Sequence, residues 1–208
     1  MRGFQVKVDN RTQPPKFINM GSEIRDGLIL MRGNDKQKVI LVDENDRQIG
    51  LEDKLRAHQN GAKLHRAISV FVFNSRGETM LQRRAMTKYH SKGKWSNTCC
   101  SHPYPGENEE AAAHRRLQEE MGFDCPMSRT FSFTYRADVG DGLTEHEFDH
   151  VFFGEYQGEP ELNREETMDY RWVSLDALAE ELQQKTEEFT PWLRIVIDRV
   201  IDSHRKWI

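Results

Sequence analysis

The sequence predicts an α+β fold, an α/β/α sandwich in which helices cover both faces of a mixed β-sheet. Residues 67–74 (AISVFVFN) are almost continuously apolar, β-branched or aromatic, which is typical of a strand buried on both faces. Residues 107–122 have the composition of a helix, with acidic residues in the first turn and Gly122 at the end. Further strands surround these two elements, and two amphipathic helices follow. Strands mixed with a few helices favour this layered architecture.

The remaining elements follow from the spacing of apolar residues and from turn residues. SRGE, residues 75–78, predicts a turn between two paired strands, and Gly61 ends the first helix. In chain order the predicted elements are two short strands within 38–50, a helix at 51–58, strands at 67–74 and 79–85, a helix at 107–122, strands at 129–137, 145–156 and 168–173, and helices at 174–184 and 190–205.

Length and composition predict one domain at 37–208, preceded by an N-terminal extension at 1–36 that is rich in chain breakers. The net charge of -4 argues against a nucleic-acid partner, which favours basic proteins. No stretch reaches the roughly 18 apolar residues of a membrane span, and the N-terminus lacks the apolar region of a secretory signal. Three cysteines without a framework spacing indicate a reducing compartment, so we predict a cytoplasmic protein.

Two of the three cysteines are adjacent, in TCCSH at 98–102. A catalytic thiol needs access and a neighbour that stabilises the thiolate or passes a proton. Cys100 has His102 two residues later, lysines upstream and a helix start soon after. Free cysteines are more often small buried hydrophobes. We therefore predict packing for Cys99 and Cys125, whereas the residues alone leave packing and catalysis equally open for Cys100.

Histidines and carboxylates form the second group of candidates. A strand through TEHEFDH, 144–150, would place Glu145 and Glu147 on one face, about 7 Å apart. Such carboxylates repel each other unless a cation or a shared proton offsets the charge. The alternative is an edge strand with a solvated acidic face. Any one of His58, His65 and His102 is more often structural than a ligand. The remaining histidines are interpreted as structural or surface residues: His90, His114, His146, His150 and His204.

The helix at 107–122 lies in a recognisable pattern, the Nudix box, G-x5-E-x7-R-E-U-x-E-E-x-G-U, where U is apolar. This pattern encodes a loop, a helix and a loop that bind a diphosphate through divalent metal. The chain departs from it twice, with Ser101 in place of Gly and Arg116 in place of the first Glu. A guanidinium there removes a metal ligand and adds a partner for diphosphate. We therefore expect diphosphate binding without hydrolytic power. The matching positions are Glu107, Arg115, Leu117, Glu119, Glu120, Gly122 and Phe123.

Together with LEDKLRAHQNGAKLHRA, LQRRAMTKYHSKGKWSNTCCSHP, FTYRA, EHEFDHVF and FTPWL, the altered box resembles the type I isopentenyl-diphosphate delta-isomerases over about residues 38–198. The resemblance implies a Nudix-like fold. It also implies interconversion of isopentenyl and dimethylallyl diphosphate through a tertiary carbocation, for isoprenoid biosynthesis. The alternative enzyme is a Nudix-type diphosphate hydrolase, which Arg116 argues against. The alternative outside enzymes is an inactive ligand-binding module, and the presence of both Cys100 and Glu147 argues against it.

The same resemblance implies roles for individual residues. Cys100 and Glu147 are the acid/base pair, Tyr135 hydrogen-bonds to the carboxylate and assists its proton transfer, and Trp192 turns its π face towards the developing cation. The substrate implied is a small allylic or homoallylic diphosphate, and the enzyme is expected to be a monomer or a weak dimer. The implied diphosphate contacts are Lys54, Arg84, Lys88 and Arg116, with Ser101 as a further contact.

Two metal sites complete the implied centre. A divalent ion, Mn2+, Zn2+ or Mg2+, binds a set of imidazole and carboxylate ligands of the kind that suits an octahedral ion. A second ion, Mg2+, bridges Glu120 and the substrate diphosphate, and keeps several waters. The ligands implied for the first ion are His58, His65, His102, Glu145 and Glu147.

Overall fold

The computed structural model describes residues 24–25, 28–29, 37–59 and 61–207. The extension predicted at 1–36 lies outside the described residues except for two short strands. These strands, β1 (Ile24–Arg25) and β2 (Leu28–Ile29), pair with each other in antiparallel orientation. The boundary between an extension at 1–36 and a domain at 37–208 stays a prediction.

The other described elements form a nine-stranded sheet with helices. In chain order they are β3 (Lys38–Val42), β4 (Gln48–Asp53), α1 (Lys54–Ala57), β5 (His65–Phe73), β6 (Glu78–Arg84), β7 (Trp95–Ser96), β8 (Cys99–Ser101), α2 (Glu109–Met121), β9 (Met127–Gly140), β10 (Leu143–Glu155), β11 (Thr167–Ser174), α3 (Leu175–Gln184) and α4 (Pro191–Trp207). A 3-10 turn at Thr186–Glu188 connects the last two helices.

The sheet is mixed, as predicted. Its main strand order is β11-β6-β5-β10-β9, in which β10 runs parallel to β5 and the other neighbours are antiparallel. Strands β3 and β8 also pair with β5. Since β10 lies between β5 and β9, the alternative of a solvated edge strand for TEHEFDH is wrong. Its three carboxylates, Glu145, Glu147 and Asp149, all lie inside the protein.

Helices cover both faces of the sheet, which confirms the α/β/α architecture. On one face α2 packs on the side chains of Ile68, Val70 and Phe152. On the other face α3 and α4 pack on Phe71 and Phe153. Burial on both faces explains why residues 67–74 are apolar without alternation. We call the first face the α2 face and the second the site face.

Three local predictions differ from the structure. The helix expected at 51–58 is a single turn, α1, because Leu51 pairs with Ile40 and extends strand β4 to Asp53. The segment around the cysteines contains two short strands, β7 and β8, that no periodicity indicated. Strand β9 is longer than the predicted 129–137.

The ends of α2 fix the loop–helix–loop of the box. The side chain of Asn108 caps the first turn by accepting a hydrogen bond from the backbone N–H of Ala111 at 2.7 Å. Gly122 ends the helix with φ of 75°. A Cβ at this position would lie 2.1 Å from the carbonyl oxygen of Glu161. The glycine is therefore required by both its conformation and this close approach.

Candidate active site

Three neighbouring strands place a histidine, a glutamate and a tyrosine in one row across the sheet. In the register, Glu147 on β10 lies opposite His65 on β5 and opposite Tyr135 on β9. Paired residues on neighbouring strands point to the same face, so the three side chains converge on the site face. Glu145 lies two residues before Glu147 and points to this face as well.

The adjacent cysteines separate because neighbouring residues of a strand point to opposite faces. Cys99 is buried in the apolar cluster beneath α2, which also includes Cys125, so both have the predicted packing role. Cys100 lies opposite Ser69 on β5, with its sulfur 3.6 Å from Ser69 Oγ. It packs on the site face against a cluster that includes Tyr135. Burial, and then neighbouring carboxylates, raise the pKa of Cys100 well above its ordinary value, so the group is a thiol.

A tyrosine joins the two glutamates of the site face. The Tyr135 hydroxyl lies 2.8 Å from Glu145 Oε2 and 2.7 Å from Glu147 Oε2. Because a phenol has one proton, the second contact requires a proton on one carboxyl group. Burial and the charge of Glu147 raise the pKa of Glu145 well above its ordinary value, so we assign this proton to Glu145. Burial opposes ionisation of Glu147, but its contacts with His102 and His65 hold its pKa well below the ordinary value.

The three predicted histidine ligands offer nitrogen lone pairs to the site. Burial is the main cause that lowers the pKa of His58 to about 4 and that of His102 to about 3, so both are neutral. Nδ1 of His58 lies 2.6 Å from the carbonyl of Lys54, and Nδ1 of His65 lies 2.8 Å from that of Lys63. These Nδ1 atoms are donors, which leaves the lone pairs on Nε2. Nε2 of His58 is buried without a hydrogen-bond partner.

The spacing of these donor atoms fits a divalent cation. Glu147 Oε1 lies 3.0 Å from His102 Nε2, 3.4 Å from His65 Nε2 and 4.0 Å from His58 Nε2. Ligands at right angles on bonds of about 2.1 Å are ~3.0 Å apart, and opposite ligands are ~4.2 Å apart. A lone pair directed at a carboxylate oxygen is repulsive unless a cation lies between them. The group formed by these four side chains can therefore hold a metal ion.

One residue of the site was not indicated by the sequence. His90, interpreted above as structural or surface, is 3% exposed, and its Nε2 lies 3.3 Å from Glu145 Oε1. His58, His90 and Glu145 form a second group of possible metal ligands, which shares His58 with the first. Only one feature of the sequence could have indicated His90 as a site residue. It lies two residues after Lys88, inside a segment that carries the family resemblance.

A cavity of about 490 Å³ adjoins this group of histidines through His102, which lines it. Four predicted diphosphate contacts line the same cavity: Lys54, Lys88, Ser101 and Arg116. Burial and the neighbouring cations Lys88 and Arg116 lower the pKa of Lys54 to about 8. So many cations around one cavity repel each other, and an anionic ligand relieves this repulsion.

Two glutamates hold the cations of this cavity in place. Glu166 accepts hydrogen bonds from Lys88 and from Arg116, the latter at 3.2 Å. Glu120, predicted to bind Mg2+, is buried and accepts hydrogen bonds from Arg116 and, at 2.8 Å, from Gln82. Glu120 therefore bonds to Arg116, one of the cations of the cavity. The possible metal-ligand groups of the described residues do not include Glu120.

Arg84 and Trp192 are buried close to each other, and neither lines the cavity. Trp192 is 1% exposed, and its indole N–H lies 3.0 Å from both Ser96 Oγ and Asn97 Oδ1, which orients the ring. The guanidinium of Arg84 lies 5.2 Å from the ring centroid. Arg84 is buried and does not line the cavity, in contrast to the other predicted diphosphate contacts.

The loop–helix–loop of α2 on a mixed sheet, next to a cationic cavity, defines a Nudix-domain protein. The NUDIX domain family matches residues 63–193. Solved structures are similar in fold. DR0079 from Deinococcus radiodurans superposes with a TM-score of 0.66 at 19% identity, over 78% of this chain and 98% of that one. A MutT protein from Methanosarcina mazei Go1 superposes with a TM-score of 0.54 at 20% identity, over 65% and 91%.

Curated relatives identify the branch of this superfamily. Isopentenyl-diphosphate Delta-isomerase 2 of Aromatoleum aromaticum is 55% identical over 80% of this chain and 87% of its own length. Isopentenyl-diphosphate Delta-isomerase of Pectobacterium atrosepticum is 48% identical over 79% and 92%. The chain belongs to the isopentenyl-diphosphate Delta-isomerase family. None of the helices in the described part of the chain has the length and apolar character that crossing a bilayer requires.

Proposed function

We propose that this chain interconverts isopentenyl diphosphate and dimethylallyl diphosphate, with Cys100 and Glu147 as the acid/base pair. One observation carries the assignment of residues. Cys100 packs against the cluster that contains Tyr135, and the Tyr135 hydroxyl lies 2.7 Å from Glu147. A thiol and a carboxylate thus adjoin the same buried cluster on the site face. The similarity to relatives named isopentenyl-diphosphate Delta-isomerase supports the reaction.

The reaction needs two proton transfers and the exclusion of water. One group adds a proton to the unactivated double bond, and the other removes a proton from a neighbouring carbon. A tertiary carbocation forms between these steps. Since the reaction is reversible, Cys100 and Glu147 exchange roles with its direction. Tyr135 orients the Glu147 carboxylate, and the indole of Trp192, fixed at its N–H, provides a π face for the cation.

Binding of the diphosphate is assigned to the cavity beside this pair. Lys54, Lys88 and Arg116 supply its positive charge, and Ser101 adds a hydroxyl. Arg116 replaces the carboxylate that a hydrolase uses to collect metal, so the diphosphate is held without being cleaved. Arg84, which does not line the cavity and lies near Trp192, is the remaining proposed contact. In this arrangement the cations of the cavity hold the diphosphate end of one small substrate, and the acid/base pair lies at its hydrocarbon end.

Metal ions complete the proposed site. His58, His65, His102, Glu145 and Glu147 would hold a divalent ion, Mn2+, Zn2+ or Mg2+. An ion there supplies positive charge that offsets two buried carboxylates and keeps Glu147 ionised. Glu120 would hold Mg2+ together with the substrate diphosphate. We also propose that the enzyme works in the cytoplasm as a monomer or weak dimer, and the three free cysteines fit such a reducing compartment.

The test is incubation of the purified full chain with isopentenyl diphosphate and Mg2+ or Mn2+ in D2O, followed by NMR. We expect dimethylallyl diphosphate that carries deuterium, because the added proton comes from a group that exchanges with solvent. Phosphate release from a panel of nucleotides, without isomerisation, would favour the hydrolase. Metal and diphosphate binding with neither reaction would favour an inactive binding module.

A further inference from the structure

We propose that His90 is an additional ligand of the ion at the His58 cluster, so that one divalent transition-metal ion is bound by four histidines and two glutamates. This inference rests on the metal centre of the proposed function and extends it by one residue. The further ligand comes from the loop between β6 and β7, which the sequence did not connect with metal binding.

The donor atoms of His90, Glu145 and His58 lie close together. His90 Nε2 lies 3.3 Å from Glu145 Oε1, the separation of two neighbouring ligands on one ion. A donor atom of His58 lies within 4.8 Å of both. His58 has one free ring nitrogen, because its Nδ1 is bonded to the carbonyl of Lys54. It can therefore serve a single ion, and because His58 belongs to both groups, one ion bound to it can take ligands from both.

The backbone fixes His90 in this position. Backbone hydrogen bonds close the loop at its base, from Gly93 N–H to the Arg84 carbonyl at 3.1 Å and from Arg84 N–H to the Lys94 carbonyl at 2.9 Å. The Arg84 side chain donates to the His90 carbonyl at 3.2 Å. Ser91, the next residue, has a φ of 50°, a conformation that L-residues rarely adopt. The loop is thus held at both its base and its tip.

Buried charge supports a cation at this place. Glu145 and Glu147 are buried on the same face, and both can be ionised together only if a cation offsets their charges. Among the ion pairs of the described residues, Glu145 has His90 as its partner and no lysine or arginine. The His90 nitrogen and the Glu145 oxygen, 3.3 Å apart, are close enough to bind one cation together. A divalent ion satisfies both groups at once.

A fourth imidazole changes the kind of ion that the centre prefers. Imidazole nitrogen suits Zn2+, Co2+, Ni2+ and similar ions, whereas Mg2+ prefers an all-oxygen shell. A centre with four imidazoles and two carboxylates therefore favours a transition metal over Mg2+. His90 strengthens this preference without adding charge.

The experiment counts the histidine ligands directly. The full chain is loaded with one equivalent of Co2+, and its proton NMR spectrum is recorded in H2O and D2O. Each histidine bound to Co2+ gives one strongly shifted N–H signal that disappears in D2O. We expect four such signals for the unchanged protein, and three for His90→Gln and for His90→Ala. The matched control is His150→Gln, which removes a buried histidine from the α2 face and should leave four signals.

The outcomes separate this inference from the proposed function. Three shifted signals in the unchanged protein, or an unchanged count after His90→Gln and His90→Ala, would overturn the role of His90 and leave the metal centre intact. Binding of two Co2+ ions per chain in these groups would also overturn it, because the proposal requires a single ion. No shifted signal on addition of Co2+ would contradict the metal centre and the inference together. Isomerase activity is not the readout, so its loss does not decide the question.

Discussion

The same two central strands carry a histidine and carboxylate cluster on each face, and the two clusters have opposite chemistry. On the site face, His65 and Glu147 converge with further histidines, and Nε2 of His58 has no hydrogen-bond partner. On the α2 face, Arg66 donates to Asp46 at 2.7 Å and pairs with Glu109 at 3.1 Å. There His150 also reaches Asp46, with Nε2 3.0 Å from the carboxylate.

The difference between the clusters is one guanidinium. Arg66 lies between the carboxylates of the α2 face and satisfies them with its own donors, so their charges are compensated within the chain. Its neighbour His65 points to the opposite face, where neutral imidazoles present lone pairs to a carboxylate. That cluster needs positive charge from outside the chain. Grouping of histidines and carboxylates is therefore not sufficient for a metal site; the absence of an internal cation matters as much.

The largest expected effect separates the two adjacent cysteines. Cys100→Ala and Glu147→Gln each remove one member of the acid/base pair, and we expect isomerisation rates to fall about 10³-fold or more. Cys99→Ala changes the neighbouring residue on the α2 face and should keep isomerisation near the original rate. The measurement is the initial rate with isopentenyl diphosphate, together with circular dichroism to establish that each variant folds. Near-original rates for Cys100→Ala would remove the thiol from the mechanism.

Removal of one histidine from each face tests which cluster binds metal. His65→Gln deletes a lone pair of the site face, and we expect metal affinity to fall about 100-fold or more. His150→Gln removes a histidine that already bonds to Asp46, and metal affinity should stay the same. Competition with a chelator of known affinity measures both variants. Equal weakening in the two variants would contradict the assignment of the site face as the metal-binding face.

Arg66→Met removes the internal cation of the α2 face. Asp46 and Glu109 then lose their common partner while half-buried, and we expect the free energy of unfolding to fall by about 1–2 kcal/mol. Urea denaturation measures this change. Isomerisation by the folded variant should be retained, since the site face is untouched. A folded variant with unchanged stability but lost activity would show that the two faces are coupled.

Residues that belong to a long sequence pattern could be predicted, whereas isolated residues of the two clusters could not. The apolar run at 67–74 and the box at α2 are long patterns, and both predicted elements are present. His90 lies in a short loop whose residues have no periodicity. Hydrogen bonds of Arg84 close this loop locally, and the contact between His90 and Glu145 joins it to strand β10, far along the chain. Such a contact depends on tertiary structure and leaves no local signal.

The strands around the cysteines show the same limit. β7 and β8 are only two and three residues long, too short for alternation to be recognised. Arg66 was equally hidden, because one charged residue at the start of an apolar strand usually indicates an exposed end. Its importance follows from the pairing of β5 with β10, which brings His150 close to Asp46, the partner of Arg66. Register, rather than composition, decides which polar side chains meet.

The smallest expected effect concerns the cationic cavity, where positive charge comes from the chain itself. Burial and neighbouring cations lower the pKa of Lys54 to about 8, so the free protein loses this charge as the pH rises through 8. A bound diphosphate favours the protonated amine and raises its pKa again. Binding should therefore take up a proton near pH 8–9, and affinity should fall there by up to about tenfold per pH unit.

Calorimetry measures this proton uptake from the dependence of the binding enthalpy on the ionisation enthalpy of the buffer. The Cys100→Ala variant with isopentenyl diphosphate avoids turnover during the titration. Adding Lys54→Arg gives the matched control, because a guanidinium stays charged throughout this range. We expect proton uptake to be smaller with arginine, and the decline of affinity above pH 8 to flatten. Equal uptake with lysine and arginine would assign the proton to the ligand or to another group, and would remove Lys54 as the titrating cation of the cavity.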